Sequence, residues 1–224
     1  MSGAAQGGSP HHDTQLTLVR HGETAWNVLG RLQGHTDIAL NAQGHAQAAA
    51  VAQALRGEPI TAVLASDLQR AQQTAQALAA VHGLPVHTAP GLRERGYGVW
   101  EGETSEDIAL FDAPGHARWR ARDLHFAPQG GESLHGFAQR VSEALHALLR
   151  QHAGQRVVVV THGGVLDVIY RLATATPLSA PRDWPLPNAA LNLLRHGARG
   201  WQVVHWGHTA HLDGVAVRSH AQDA

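Results

Sequence analysis

Two histidines, each followed by glycine, stand where predicted strands end. His21 and its neighbour Arg20 follow the apolar run 16–19, and His162 follows the run 157–161. A neutral imidazole is a nucleophile near pH 7, and a protonated one donates hydrogen bonds to an anion. Because the carboxyl ends of parallel strands form the ligand crevice of an open α/β sheet, we expect both histidines to face one anion there.

Arginines accompany these histidines. Arg20 directly precedes His21, and Arg70 lies on the first turn of the helix predicted after the second strand. A guanidinium binds phosphate or carboxylate through paired hydrogen bonds, and Gly163 lets backbone N–H groups at a helix start approach the same anion. A single histidine or helical arginine is more often structural or solvated. The prediction of an anion site therefore depends on the two histidines and the two arginines occurring together.

Composition excludes several classes of chemistry. The chain has 224 residues, 43% of them hydrophobic, and a formal net charge of -1, so no global field favours nucleic acid or an anionic membrane. Cysteine is absent, and all 17 residues counted as Lys+Arg are arginine. These absences exclude disulfides, thiol nucleophiles, cysteine zinc sites, a P-loop lysine and Schiff-base catalysis.

Strand-like runs alternate with helical patterns over most of the chain, which predicts an α/β three-layer sandwich with helices on both faces. The runs cover 16–19, 62–65, 85–87, 157–161, 191–195 and 201–205. The last two flank the turn HGARG, so we expect a mostly parallel central sheet with one antiparallel edge strand. Helices are predicted from the cap Asn41 to Gly57, over 67–82 and over 133–152, with an irregular or partly helical insertion around 103–131.

The N-terminal residues and the lengths of the apolar runs predict the domain organisation and the location of the protein. Residues 1–14 are small and polar without an apolar core, which predicts a disordered tail and not a signal peptide, followed by a single domain over 15–224. No apolar run approaches the length of a membrane span. We therefore expect a soluble, cytoplasmic protein with no membrane or nucleic-acid partner. The sequence does not decide whether the protein forms a homodimer.

Five segments in this order resemble the histidine phosphatase superfamily, in the branch that contains the cofactor-dependent phosphoglycerate mutases and many phosphatases. They lie between about residue 16 and residue 206 and are LVRHGETAWN, RLQGHTDIALNAQG, SDLQRAQQT, LRERGYGVWEG and VVVTHGG. The Arg-His-Gly-Glu motif with its ordered companions is specific, whereas Arg-His-Gly alone is a weak signal. The resemblance implies phosphoryl transfer through a phosphohistidine.

The resemblance also implies a role for each matching residue. His21 matches the nucleophile, and Glu94 matches the carboxyl that serves as general acid and then as base. The clamp on the phosphoryl oxygens is matched by Arg20, Arg70 and His162. Further candidate contacts to the phosphate or substrate are Asn27, Gln33, Gly163 and Tyr97.

The chemistry requires these residue types independently. Phosphoryl transfer needs positive hydrogen-bond donors around the equatorial oxygens, which arginine and protonated histidine supply. The leaving alcohol needs a proton, and a carboxyl beside a phosphate stays protonated longer because of like-charge repulsion. Glu101 and Glu103 are alternatives to Glu94 that sequence spacing does not exclude, although loop carboxylates are usually solvated.

The sequence favours a phosphatase over a mutase. Gly96 stands where mutases of the family have a histidine, and the lysine with which they bind the carboxylate of phosphoglycerate is absent here. The stretches VWEG and PNAAL resemble phosphatase members. We predict hydrolysis of small phosphate monoesters without a metal or other cofactor. The alternatives are a cofactor-dependent phosphoglycerate mutase, which would require 2,3-bisphosphoglycerate, and a non-catalytic module that binds a phosphorylated metabolite.

Three arginines in HARWRARDLHF are further candidates, since the resemblance implies that this segment overhangs the pocket. They are Arg118, Arg120 and Arg122, and any of them could bind a substrate carboxylate or a second phosphate. Alternating arginines are more often a solvated surface. If one points inward, we expect a small, doubly anionic phosphate ester as the substrate.

The histidine content, 18 in all, raises the question of a metal site at His205, His208 and His211. The spacing suits a strand poorly and no H-E-x-x-H motif occurs, so we predict no metal there. The stretch from His21 to Glu23 also matches the first part of a zinc-deaminase motif. That chemistry requires a cysteine pair, which this chain lacks.

Overall fold

The computed structural model describes residues 13–215, which contain one six-stranded sheet in the order β3-β2-β4-β1-β5-β6. The strands are β1 (Thr14–Arg20), β2 (Ala62–Ala65), β3 (Val86–Thr88), β4 (Arg156–Thr161), β5 (Leu191–Gly197) and β6 (Gly200–His208). The helices are α1 (Ala25–Leu29), α2 (Ala42–Leu55), α3 (Gln69–His82), α4 (Ser105–Phe111), α5 (Ala113–Arg120), α6 (Leu134–Gln151) and α7 (Gly163–Thr174). Single 3₁₀ turns cover Pro90–Leu92, Gly98–Trp100 and Ala210–Leu212.

The sheet is mostly parallel, as the sequence predicts. β1, β4, β2 and β3 pair in parallel, while β5 runs antiparallel to β1 and pairs with β6 as a hairpin at the edge. β1 and β4 are neighbours in the centre, with Arg20 opposite Thr161 in the register. The residues that follow these two strands are therefore adjacent at the carboxyl edge of the sheet.

Helices cover both faces of the sheet, which confirms the three-layer sandwich. Leu16 and Leu18 of β1 pack with α6 and α7 on one face, whereas Val19 packs with α2 and α3 on the other. The change of face follows the two-residue period of side chains in a strand. No helix in the described part of the chain combines the length and apolar character needed to cross a membrane.

The segment 103–131 is partly helical and has a small core of its own. Thr104 caps α4 by accepting from the backbone N–H of Asp107, and Asp112 caps α5. Trp100 and Trp119 pack edge to face in this core, with ring centroids 6.1 Å apart. The aromatic cluster holds the insertion against the loops beside the carboxyl edge of the sheet.

The predicted tail is only partly within the described residues, because residues 1–12 lie outside them. Thr14 is already the first residue of β1, and its hydroxyl accepts a hydrogen bond from the N–H of Gly154 (3.0 Å). Two predicted helix ends are present: the Asn41 side chain accepts from the N–H of Gly44 (2.8 Å) at the start of α2, and Gly83 ends α3 at a φ of 64°.

Candidate active site

His21 is buried directly after β1, with its reactive ring oriented by the backbone. The backbone N–H of His21 donates a hydrogen bond to the carbonyl of Thr161 (2.9 Å). The ring nitrogen Nδ1 lies 2.7 Å from the carbonyl oxygen of Gly22. A carbonyl only accepts, so Nδ1 carries the proton and Nε2 keeps its lone pair. Burial, followed by the charges of Arg70 and Arg20, holds the pKa of His21 well below its ordinary value of 6.5. The ring is therefore neutral near pH 7 and nucleophilic at Nε2.

The backbone of His21 is held by a loop from the other end of the chain. The Nδ2 of Asn188 donates to the carbonyl of His21 (2.9 Å), and the N–H of Ala189 bonds to the carbonyl of Arg20 (3.0 Å). Ala189 adopts a left-handed φ of 58°, a conformation that costs an alanine about 1 kcal/mol or more. This strained turn fixes the exit of β1.

His162 faces His21 from the end of β4, with ring centroids 5.2 Å apart. The Nε of Arg70 donates to Nδ1 of His162 (3.3 Å), so the proton of a neutral ring lies on Nε2, which donates to Oγ of Ser66 (2.8 Å). Burial and the charge of Arg70 hold the pKa of His162 well below 6.5. Without an anion, the protonated form of His162 expected from the sequence is thus disfavoured, first by burial and then by the charge of Arg70.

Arg70 is fully buried at the start of α3 and is fixed by three acceptors. Besides His162, they are the carbonyls of Gly34 (2.8 Å) and Thr36 (2.9 Å). Burial lowers the pKa of Arg70 to about 10, which leaves it charged at neutral pH. Arg20 is buried beside it and donates through Nη1 to the carbonyl of Leu186. Fixed guanidiniums of this kind are preorganised for a phosphoryl group.

Asn27 and Gln33 present amide groups to the same cavity. Oδ1 of Asn27 accepts from the N–H of Thr24 (3.1 Å), and the single hydroxyl proton of Thr24 is shared between Oδ1 of Asn27 and Oε1 of Gln33, each 3.1 Å from the hydroxyl oxygen. Because these contacts turn the amide oxygens towards Thr24, we expect the NH₂ ends of Asn27 and Gln33 to be the donors that meet an anion. Thr24 orients the two amides and caps α1 at the same time.

Glu94 borders the cavity from the loop after the 3₁₀ turn Pro90–Leu92. Its Oε1 accepts from the N–H of Arg95 (2.7 Å), and its Oε2 accepts from the N–H of Gly164 (3.0 Å). A Cβ at Gly164 would lie 2.4 Å from Oε1 of Glu94, so only glycine allows this approach. The carboxyl group is therefore held at the start of α7, one residue beyond Gly163.

The two alternative carboxylates have other positions. Glu101 accepts four hydrogen bonds, from the N–H groups of His35, Tyr97 and Thr36 and from the hydroxyl of Thr36. These bonds tie two loops together and occupy both oxygens of the carboxylate. Glu103 is half-exposed, and its carbonyl accepts from Leu32. Of the three carboxylates, Glu94 lines the cavity.

The cavity gathers most of the candidates that the sequence indicates. Its lining consists of Arg20, His21, Asn27, Arg31, Leu32, Gln33, Gly34, Arg70, Glu94 and Tyr97. Gly163 begins α7 behind His162. A buried neutral histidine, fixed guanidiniums and a carboxyl group thus share one small polar space.

The chain matches the sequence model of the histidine phosphatase superfamily (branch 1) over residues 16–209. It belongs to this superfamily. Among similar proteins, the metal-independent phosphoserine phosphatase of Arabidopsis thaliana is 38% identical over 206 residues, covering 90% of this chain and 84% of that protein. A protein named probable phosphoglycerate mutase GpmB, from Yersinia enterocolitica, is 37% identical over 212 residues, covering 91% and 97%.

A solved structure of this superfamily shares the fold. The phosphoserine phosphatase of Entamoeba histolytica, in complex with 3-phosphoglyceric acid, superposes with a TM-score of 0.80 at 29% identity. The match covers 89% of this chain and 99% of that chain. The sequence model, over residues 16–209, includes every residue that lines the cavity.

The three arginines of the insertion have different surroundings. Arg118 is exposed, pairs with Asp123 (2.8 Å) and lies over the ring of Phe126. Arg120 is exposed at the end of α5. Arg122 is largely buried and lines a second pocket next to the cavity.

The histidines of the last strand lie away from the cavity. His205, His208 and His211 border a separate hollow between α2 and the hairpin, with neighbouring ring centroids 5.7 and 6.4 Å apart. Among residues 13–215, no group of three or more His, Cys, Asp or Glu side chains has the arrangement to hold a metal ion.

Sequence reasoning missed several residues that build the site. Arg31 lines the cavity, and Asn188 and Ser66 hold His21 and His162. Asn188 lies in the stretch PNAAL and Ser66 in SDLQRAQQT, both of which carry the resemblance. No local pattern, however, shows that the side chains of Asn188 and Ser66 reach the two histidines. For Arg31 we find no signal beyond its position in RLQGHTDIALNAQG.

Proposed function

We propose that this member of the superfamily is a phosphatase that hydrolyses small phosphate monoesters through a phosphohistidine on His21. The observation that carries the proposal is the unprotonated Nε2 of a buried His21, in one cavity with Arg20, Arg70 and Glu94. The named phosphatases among its relatives support the same reaction class.

In the first step, Nε2 of His21 attacks phosphorus and the bond from phosphorus to the ester oxygen breaks. Glu94, in its protonated form, gives its proton to the departing alkoxide, so that a neutral alcohol leaves. Arg20 and Arg70 bind the equatorial oxygens, where negative charge spreads in the transition state. The NH₂ groups of Asn27 and Gln33 supply two further neutral donors.

In the second step, water attacks the phosphohistidine and His21 departs as a neutral imidazole. Glu94, now a carboxylate, takes the proton from the attacking water, and inorganic phosphate is released. A bound phosphate dianion beside His162 stabilises the imidazolium, so the second histidine can gain a proton while the phosphate is present. The cycle returns every group to its starting state without a resident cofactor.

A phosphoglycerate mutase is the second candidate, because a relative of 37% identity carries that name. A mutase must retain and reorient its substrate while excluding water. Incubation with 3-phosphoglycerate and a catalytic amount of 2,3-bisphosphoglycerate separates the two activities. We expect release of inorganic phosphate, whereas formation of 2-phosphoglycerate without phosphate would make the protein a mutase.

The nucleophile is tested by His21→Ala, with His45→Ala on the exposed face of α2 as the control. His21→Ala should abolish hydrolysis of p-nitrophenyl phosphate and the added mass of one phosphoryl group in rapidly quenched protein. His45→Ala should retain both. Undiminished turnover by His21→Ala would rule out the proposed covalent step.

The proton donor is tested by Glu94→Gln with esters of different leaving groups. Glycerol phosphate needs a proton on its alcohol, so its hydrolysis should fall by roughly 100-fold or more. p-Nitrophenyl phosphate has a good leaving group, so phosphorylation of His21 should fall much less. Glu103→Gln is the control, and a leaving-group dependence found there instead would transfer the role to Glu103.

We further propose a small phosphorylated metabolite as the partner and the cytoplasm as the location. The near-neutral net charge and the absence of cysteine are compatible with both. The number of subunits is a separate question, which sedimentation would answer directly.

A further inference from the structure

The segment 93–97, which carries Glu94, has no regular secondary structure. Carbonyl groups outside helices and strands need partners other than a regular hydrogen-bond ladder. The carbonyls of Gly91, Arg93 and Glu94 accept hydrogen bonds at 3.2, 3.0 and 3.1 Å, all from one side chain. The donor is the guanidinium of Arg140, which reaches this loop from α6.

Arg140 contacts both peptide groups that flank the Cα of Glu94. Nη1 donates to the carbonyl of Arg93, which belongs to the peptide group before that Cα, and Nη2 donates to the carbonyl of Glu94, which belongs to the one after it. Because peptide groups are planar, fixing these two groups fixes the two backbone dihedral angles of Glu94. The guanidinium thereby sets the direction of the Cα–Cβ bond of Glu94, along which the carboxyl side chain leaves the backbone.

Glu132 holds Arg140 in this orientation. Its carboxylate accepts from Nε (2.9 Å) and Nη2 (2.6 Å) of Arg140, so that all five N–H donors of the guanidinium are used. Oε2 of Glu132 also accepts from the N–H of Gly96 (2.8 Å), on the other side of Glu94 along the chain. Burial would raise the pKa of Glu132, but the hydrogen bonds from Arg140 and Gly96 outweigh burial and lower it. The pair is therefore ionised near pH 7, and its two charges balance.

The ring of His35 gives the carbonyl of Glu94 a second donor. Nε2 of His35 lies 2.9 Å from the carbonyl oxygen, and because a carbonyl only accepts, Nε2 carries the proton. A Cβ at Gly96 would lie 3.3 Å from Cε1 of His35, so the absence of a side chain at position 96 leaves room for the ring. His35 follows Gln33 and Gly34, which line the cavity. The carbonyl of Glu94 is therefore fixed both from α6 and from the wall of the cavity.

From this geometry we infer that Arg140, held by Glu132, is a positioning residue for the general acid, which directs the carboxyl group of Glu94 at the departing alcohol. The inference rests on the proposed function, because it requires that Glu94 transfers the proton. The N–H groups of Arg95 and Gly164 orient the two carboxyl oxygens, but they reach these oxygens only if the side chain starts in the direction that Arg140 sets. A misplacement of a reacting group by about 1 Å can cost roughly 100-fold in rate.

The test uses two esters that depend on the general acid to different degrees. Arg140→Lys keeps a positive charge beside Glu132, but its three donors sit on one nitrogen and cannot span both carbonyls that flank Glu94. The kcat for glycerol phosphate should fall by roughly 10- to 100-fold with little change in KM. The burst of p-nitrophenolate that reports phosphorylation of His21 should fall much less, because that leaving group needs no proton.

A double variant tests whether the effect acts through Glu94. In protein that already carries Glu94→Gln, Arg140→Lys should add little further loss on glycerol phosphate, because no carboxyl proton remains to be directed. Glu132→Gln keeps the guanidinium but weakens its hold, so it should show the same selective loss to a smaller extent. Glu132→Gln also decides the question if Arg140→Lys does not fold. Arg150→Lys, exposed on the last turn of α6, is the matched control and should change neither ester.

The outcomes separate positioning from a purely structural role. A residue that only stabilises the fold has no reason to distinguish leaving groups, so an equal loss on both esters would overturn the inference. Unchanged rates, or a full further loss in the Glu94→Gln protein, would overturn it as well. Failure of the wild-type protein to release phosphate from either ester, or of Glu94→Gln to distinguish the two esters, would instead overturn the proposed function on which the inference rests.

Discussion

At the residue scale, the contacts of His21 orient its ring for the attack that we propose. The carbonyl of Gly22 fixes the proton on Nδ1, and Asn188 holds the carbonyl of His21 itself. Arg20 and Arg70 disfavour protonation of the ring and are also the groups that would bind the phosphoryl oxygens. The same charges thus serve the nucleophile and its target.

The lowered pKa of His21 predicts the state of its ring in acid. Because burial and two guanidiniums favour the neutral form, Nε2 should stay unprotonated when the pH falls below the ordinary value of 6.5. The ¹⁵N chemical shifts of the His21 imidazole should therefore keep the pattern of a neutral Nδ1–H ring between about pH 8 and about pH 6. Conversion to imidazolium near pH 6.5 would contradict this expectation.

Asn188 is predicted to position the nucleophile. Asn188→Ala removes the donor to the carbonyl of His21, so the rate of His21 phosphorylation should fall by roughly 10-fold or more, with a smaller effect on KM. Asn192→Ala is the matched control, because Asn192 bridges Leu18 and Gly207 away from the reacting atoms. Loss of stability without a slower phosphorylation in Asn188→Ala would leave Asn188 a purely structural residue.

Residues of the site differ in how far the sequence reveals them. His21, Arg20 and Arg70 occur in local motifs at strand and helix ends, and the cavity contains all three. Asn188 lies 167 positions from the residue it holds, and Arg95 bonds to carbonyls more than 30 positions away. Such roles depend on the packing of distant segments, which no local pattern encodes.

At the element scale, the start of α2 packs directly against the backbone that follows His21. A Cβ at Gly44 would lie 2.1 Å from the carbonyl oxygen of Glu23, and one at Gly22 would lie 2.5 Å from the carbonyl oxygen of Gly44. Asn41 strengthens this contact, because its side chain donates to Glu23 (2.9 Å). The start of α2 therefore forms a wall behind the backbone of Gly22 and Glu23.

Gly44→Ala should accordingly destabilise the protein by about 1–3 kcal/mol, because the new methyl group meets backbone that cannot move aside. Gly57→Ala is the control, since a Cβ there has no neighbour within 4 Å. Urea unfolding of both variants gives the comparison. Equal stabilities would mean that the helix shifts to accept the methyl group without cost.

The main strands were predictable from their apolar runs, and the long helices were predictable from an apolar stripe, a capping residue such as Asn41 or a terminal glycine such as Gly83. The strand 62–65 and the hairpin strands occur where their apolar runs lie, and α6 covers the predicted apolar stripe. The five-residue helix α1 was missed because it is too short for a period, although Thr24 and Asn27 form a capping box at its start. The insertion was only partly predictable, since its core assembles aromatic residues from separate loops.

At the scale of the whole molecule, buried histidines link stability to pH. His21 and His162 both have pKa values held well below 6.5, first by burial, so the unfolded chain binds their protons more readily than the folded chain does. The free energy of unfolding should thus fall as the pH drops through 6.5 and level off below the lowered pKa values. The hydrogen bond from Arg93 lowers the pKa of Asp67, and that contribution is lost only in stronger acid.

Thermal unfolding between about pH 8 and about pH 5 measures this dependence. His21→Asn removes one of the two titrating rings, so its Tm should fall less steeply with acid than that of the wild-type protein. Parallel curves for the two proteins would exclude His21 from the acid sensitivity.

The central position of β1 in the sheet affects how the protein folds while it is being synthesised. Its two neighbours in the sheet, β4 and β5, begin at Arg156 and Leu191, although β1 is the first strand of the chain. During synthesis, β1 therefore leaves the ribosome before either of the strands that pair with it. It remains unpaired until most of the chain has been synthesised. Contacts of such long sequence separation slow folding, and an unpaired apolar strand is exposed to aggregation meanwhile. A chain interrupted before the hairpin would carry every residue of the Arg-His-Gly-Glu motif and still lack the pairing of β1 with β5.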